Sequence, residues 1–211
     1  MRRRAVALIA TTAAMSLTIL GLTAPVANAD SAKPGVSMTH IKTIAGLASG
    51  FETAGVILYT QGGATSAVIG ESLGAPASQV VFHVPVTGTK AGVQHAGSIL
   101  VFYNTTNNKQ VQLQNPVIDL GKGVVTATVP QLSGQSVAAL TITNASALKP
   151  VVKTDRKTRV RTTTYSGAQL AIGPGVGAVL DSALGLPAGT IADGSAFATA
   201  EVTLSTVLPA N

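Results

Sequence analysis

The sequence predicts an all-β fold, an antiparallel β-sandwich of immunoglobulin-like or related barrel type, with one or two short helices. Three observations predict it. Short apolar stretches alternate with period two from Gly55 onward, Gly, Pro and Asn turns separate them, and no helical pattern recurs between them. Composition agrees: Val, Thr, Ala and Gly dominate, charged residues are 10% of the chain, and Trp is absent. That is the vocabulary of strands and tight turns.

The elements follow in order, within a single domain expected over residues 39–211. Residues 30–38 read as a flexible leader into it. Thr39 to Gly50 reads as a short helix, with Thr39 as N-cap, Ile41, Ile44, Ala45 and Ala48 on one face, and Gly50 as its stop. Val56–Thr60 is a strand ending at Gln61-Gly62-Gly63. In the next, Val80, Phe82 and Val84 alternate with Val81 and His83. Ser98–Tyr103 is apolar on both faces, as a central strand should be.

After the Asn104–Asn108 turn, Val111 and Leu113 point inward against Gln110, Gln112 and Gln114. Val117–Leu120 stops at Gly121-Lys122-Gly123, and Val124–Val129 at Pro130. Val137–Thr143, Lys157–Tyr165 and Ala198–Leu204 complete the strands. One helix interrupts them near Gly173–Gly185, with Pro174 at its first position, Gly185 past its end, and Val176, Val179, Leu180, Ala183 and Leu184 on one face. It is expected to cover one end of the sheets.

The N-terminus reads as a secretory signal peptide over residues 1–29. Arg2-Arg3-Arg4 precedes an apolar run from Ala5 to Leu22, and Ala27-Asn28-Ala29 supplies the small residues of a cleavage site. The formal net charge of +6 includes those three arginines, so half of the excess leaves with the leader. The mature domain is then only mildly basic, far from the footprint of a nucleic-acid binder. With no Cys, the chain has neither a disulfide staple nor a lipoprotein anchor. No second apolar stretch is long enough to span a bilayer, so no transmembrane anchor is expected, and the tail carries no sorting motif.

The search for chemistry returns little. His40, His83 and His95 have no metal-pair spacing and no acidic cluster beside them. Nucleophile elbows and thiols are absent, and no spacing pairs the few carboxylates. The expectation is therefore a non-enzyme with no cofactor and no metal. The concentrated polar feature is basic: Lys149, Lys153, Arg156, Lys157, Arg159 and Arg161, opposed locally by Asp155 alone. On a strand, Lys157, Arg159 and Arg161 would form a ladder on one face, fit to bind a polyanion. Such charges would equally guard an edge strand against aggregation.

From His95 onward the order of segments is similar to a known family. His95-Ala96-Gly97-Ser98-Ile99-Leu100 is followed by a Leu-bearing strand, Asn115-Pro116-Val117-Ile118-Asp119-Leu120-Gly121 and Val124–Val129. Val179–Leu186 then leads into Ala188-Gly189 and Ala196–Ala200. This resembles the divergent secreted β-domains of high-GC Gram-positive bacteria related to the haem-transport-associated (Htaa) domain. The resemblance implies an all-β fold with minor helices and an extracellular location. Haem-binding members use a Tyr ligand from a Trp-Gly…Ser-Phe…Tyr segment and a His in a Gly-His-Asp-Gly turn. Here the matching stretches read Ala45–Gly55 and Tyr103–Asn108, without those residues. Haem ligation is not carried over; Tyr59, His83, His95 and Tyr103 would have to make a different site.

These observations imply a secreted, non-catalytic protein of the cell envelope, a binding or structural module whose partner is an anionic wall polymer or a surface protein. The alternative is an extracellular carrier of haem or another hydrophobic small ligand.

Overall fold

The computed structural model describes residues 36–209; the expected signal peptide and residues 30–35 of the leader lie outside the described residues. The strands are β1 (Met38–Thr43), β2 (Val56–Gly62), β3 (Thr65–Ile69), β4 (Gln79–Pro85), β5 (Val93–Gln94) and β6 (Ser98–Asn104). They continue as β7 (Lys109–Asp119), β8 (Val124–Val129), β9 (Gln135–Ile142), β10 (Val151–Asp155), β11 (Val160–Ile172) and β12 (Ala196–Val207). Two helices accompany them, α1 (Leu47–Thr53) and α2 (Val176–Leu184).

All twelve strands belong to one sheet, ordered β2-β6-β7-β8-β9-β11-β12-β1-β4-β3, with β5 on β7 and β10 on β11. Every pairing between these strands is antiparallel. The two end strands, β2 and β3, are joined by Gly63 and Ala64 alone, so the sheet nearly closes on itself. The all-β expectation holds, in its barrel form.

The turn that draws the ends together depends on Gly62. Its φ is +69°, and a Cβ there would lie 2.0 Å from the Gly97 carbonyl oxygen, which accepts the Gly63 amide. A left-handed φ costs an L-residue about 1–2 kcal/mol. Gly62→Ala is therefore expected to lower stability by at least that amount, read as a lower midpoint in urea unfolding with unchanged slope.

Alternation fills the interior. Val56 and Leu58 from β2, Val80, Phe82 and Val84 from β4, Val111 and Leu113 from β7, and Val125, Ala127 and Val129 from β8 are all buried. Phe102 is fully buried among them, with Phe51 of α1 edge-on at 6.0 Å and Phe197 at 6.2 Å between ring centroids.

Both helices cover the end where β6 finishes. Helix α1 leads into Val56, the register partner of Asn104, and the Asn104 and Asn107 amides donate to the last carbonyl of α2, Leu184. The opposite end holds Gly62, Ser98 and His95.

Several elements differ from the sequence reading. Met38–Thr43 is a strand, not the start of a helix: Thr39 and Thr43 are buried while Lys42 is exposed, and β4 and β12 pair with it on both sides. The helix begins after Gly46, whose φ of +82° turns the chain out of the strand. The fold also takes in Ser37, buried and hydrogen-bonded to Ser205, ahead of the boundary expected at residue 39.

The strands expected at 110–114 and 117–120 are one, β7, bent by an irregularity where Asn115 has φ +50°. That irregularity lets Pro116 sit in a strand without a ladder donor. Helix α2 covers one end as expected, and Gly185 ends it at φ +68°. Pro174 precedes rather than begins it: Gly175 is the N-cap, and the Asp193 carboxylate accepts the amides of Gly175 and Gly177. A carboxylate there neutralises the helix N-terminus.

Candidate functional site

The basic segment forms a hairpin that stands away from the barrel. On one edge, β11 pairs with β9 only at Leu170–Ile172 and with β10 at Val160–Thr164. On its other edge, β12 runs on from Thr203 to Val207, past its last partner in β1, Met38. Strands β10, β11 and β12 thus make a three-stranded tongue. Every residue of β10 is exposed, and its only strand partner among the described residues is β11.

Chemistry at the tip follows from Asp155. Its carboxylate accepts the amides of Lys157 at 2.8 Å and Thr158 at 3.4 Å, a short polar side chain closing a turn on its own backbone. The Lys157 amide, aided by Thr158, holds the Asp155 carboxyl below the usual carboxylate range. Arg159 takes φ +56°. Its Nη2 donates to the Leu208 carbonyl at 2.6 Å, and its own carbonyl accepts the Leu208 amide at 2.8 Å.

The ladder expected of Lys157, Arg159 and Arg161 therefore does not form as a strand face. Lys157 and Arg159 lie in the turn, because Asp155 captures the amides a strand would have used; Arg161 alone is on β11, opposite Thr154 and Thr206. Lys149, Lys153, Arg156, Lys157 and Arg161 are exposed and Arg159 is half-buried. An open depression of about 390 Å³ beside the tip is lined by Thr154, Asp155, Arg156, Arg159, Leu208 and Pro209.

The four residues considered for a small ligand do not share a space. Tyr59 and Tyr103 alternate with the buried Leu58 and Phe102, so they face outward on neighbouring strands, and Tyr103 Oη donates to Asn108 at 2.6 Å. His83 faces outward on β4.

His95 is inside, 1% exposed. Its Nδ1–H donates to the Pro116 carbonyl at 3.0 Å, which leaves Nε2 to accept the Thr39 hydroxyl at 2.8 Å. Burial strips water from its cation and lowers its pKa from 6.5 to about 4, against the raising effect of the Pro116 carbonyl. His95 is thus a neutral structural group.

The interior offers a cavity of about 50 Å³ between Ile41, Thr60, Phe82, Ser98, Leu113 and Leu140, among other residues. The buried Thr60 and Ser98 hydroxyls have no protein partner. Room of this order suits a few waters, each needing roughly 10–15 Å³ by that measure. It is far below the roughly 300–1,000 Å³ of small-molecule pockets.

Sequence reasoning missed one arrangement. His40 on β1 is the register partner of His83 on β4, and their Nδ1 atoms lie 2.7 Å apart. Separated by 43 positions, they gave no spacing signal; only strand register unites them.

Four of the seven Asp and Glu side chains among the described residues are committed to backbone amides. Asp119 accepts from Lys122, Asp155 from Lys157, Asp181 from Gly189 and Ile191, and Asp193 from Gly175 and Gly177. No helix of the described residues is long and apolar enough to cross a membrane. Comparison with known proteins finds no matching family model, curated protein or solved structure.

Proposed function

We propose that this chain is a secreted, non-catalytic protein of the bacterial cell envelope, held at the surface by an anionic wall polymer that binds the β10–β11 hairpin. One observation carries this reading: five exposed or half-buried cations stand on a hairpin projecting from the barrel, with Lys149 just ahead of it, and the carboxylate among them is already engaged by the turn. Arg159 is held in place before any partner arrives, which lowers the ordering cost of binding. The cationic, apolar and Ala-Asn-Ala parts of the N-terminus support export. The resemblance to Htaa-related secreted domains supports the same location. A non-catalytic role fits the use of Asp119, Asp155, Asp181 and Asp193 in turns and caps. The carrier reading has less support, since Tyr59 and Tyr103 face outward on β2 and β6, His83 faces outward on β4, His95 is interior, and the interior cavity is small.

Isolated cell walls test the proposal. At about 1 kcal/mol per cation near an anionic surface, removing three cations weakens binding roughly a hundredfold. The combined variant Lys157→Glu, Arg159→Glu, Arg161→Glu is expected to lose co-sedimentation. So is Lys149→Glu, Lys153→Glu, Arg156→Glu, which leaves the Arg159–Leu208 contact intact. Salt of about 1 M, with a Debye length near 3 Å, is expected to release the unmodified protein. Undiminished wall binding by both variants would contradict the proposal. If they instead aggregate while still binding walls, the cations guard the β10 edge and nothing more.

A further inference from the structure

The outer face of the barrel carries a pair of imidazoles that the hairpin does not use. His40 and His83 sit opposite each other on β1 and β4, both half-buried, with rings crossing at 85° and centroids 4.8 Å apart. Their Nδ1 atoms face each other at 2.7 Å. Two neutral imidazoles can share that contact only if one carries its proton on Nδ1 and the other on Nε2. Moving both protons to Nε2 frees the two Nδ1 lone pairs, and turning the rings off the line between them directs both at one ion.

We propose that His40 and His83 form a surface site for a divalent transition metal of the kind that takes nitrogen ligands at right angles, Cu²⁺ above all. With metal–nitrogen bonds of about 2.0–2.1 Å, right-angled coordination places the two nitrogens about 3 Å apart, and tetrahedral coordination about 3.4 Å. From 2.7 Å the first requires an opening of a few tenths of an ångström and the second more than twice that. Square-planar preference and the general affinity order both favour Cu²⁺ over Zn²⁺. Two metal–nitrogen bonds replace two metal–water bonds, and the imidazole proton moves from Nδ1 to Nε2, so the neutral pair releases none.

The neighbours are suited to this. Glu201 on β12 is the register partner of His40, on the same outer face, and Ser166 Oγ donates to its Oε2 at 2.7 Å. It places a negative charge beside the ion. Lys42, two residues along β1, is the opposing charge on that face, and Thr65 of β3, the register partner of His83, is neutral. Among the described residues no group of three or more His, Asp or Glu is arranged to hold a metal ion. The site is accordingly an open one, two protein ligands with water in the remaining positions.

Calorimetric titration of the purified chain with Cu²⁺, together with electron paramagnetic resonance, tests this. One ion per chain is expected, with coupling to two nitrogens. His40→Ala and His83→Ala are each expected to weaken binding at least tenfold, and Glu201→Gln by a smaller factor. Unchanged far-ultraviolet circular dichroism confirms that the surface variants fold. Zn²⁺ is expected to bind more weakly. Absence of Cu²⁺ binding, or binding that survives both histidine variants, overturns the site. Zn²⁺ binding as tight as Cu²⁺ overturns the right-angled geometry.

Discussion

Phe102→Ala is expected to lower the unfolding free energy by about 3–5 kcal/mol, the range for deleting a buried phenylalanine. The ring is fully buried where three elements meet: β6 carries it, Phe51 brings α1 onto its edge, and Phe197 brings in the start of β12. Neighbours anchored to a helix and to another strand, each fixed elsewhere in the fold, are poorly placed to collapse into the space left. The chain has no Cys, so no covalent link offsets the loss. Against a total of about 5–15 kcal/mol for ordinary domains, this change removes a large share. Urea unfolding followed by circular dichroism measures it, and the melting temperature should fall by roughly 10 °C. Phe102→Leu, which keeps most of the volume, should cost much less. A loss below about 1 kcal/mol for the alanine variant, less than any buried large-to-small change of this kind, would show that the three elements do not meet there.

Acid is expected to weaken the fold through His95. Its pKa is 6.5 when solvated and about 4 in the folded protein. Because the folded value is depressed, the native state stays unprotonated while the unfolded chain takes up a proton. Stability is therefore fully present above pH 6.5 and declines as pH falls toward 4. The 2.5-unit difference between those values, at about 1.4 kcal/mol per unit, gives a loss of about 3 kcal/mol over that window. The lowered carboxyls of Asp119 and Asp155 act below it, since both start from 3.8 and move down. Urea midpoints measured across this range should fall for the unmodified chain and fall much less for His95→Gln, which has no proton to take up. Equal slopes for the two proteins would remove His95 as the cause.

Much of the barrel was legible because its strands bury one face. Val80, Phe82 and Val84, or Val111 and Leu113 against three glutamines, leave little choice of secondary structure. Pro130 and Gly185 marked true ends for the same local reasons that make them stops. Strands without a buried face were invisible: every residue of β3 and of β10 is exposed, so no alternation betrays them. Residues 39–43 misled because Ile41, Ile44, Ala45 and Ala48 happen to fall at helical intervals. What decides their conformation is the pair of neighbours, β4 and β12, that are distant in sequence.

The candidate sites show the same division. Composition alone located the basic segment, since six cations crowd near one acid in a chain whose other charges are sparse and scattered. Its shape was not legible, because the decisive event is one side chain, Asp155, taking two amides and bending the backbone before Val160. His95 gave no hint of being interior, as its partners Thr39 and Pro116 come from separate strands. The His40–His83 contact likewise exists only once β1 and β4 are in register.

The most direct test of the envelope role is amide chemical-shift mapping of the isotopically labelled protein during titration with a soluble anionic wall polymer, such as teichoic acid fragments. Perturbed amides are expected to cluster at residues 149–161 and at Leu208, the anchor of Arg159, and to revert as salt rises. Shifts centred on α2 or the barrel wall, or no shifts at all, would contradict binding through the hairpin.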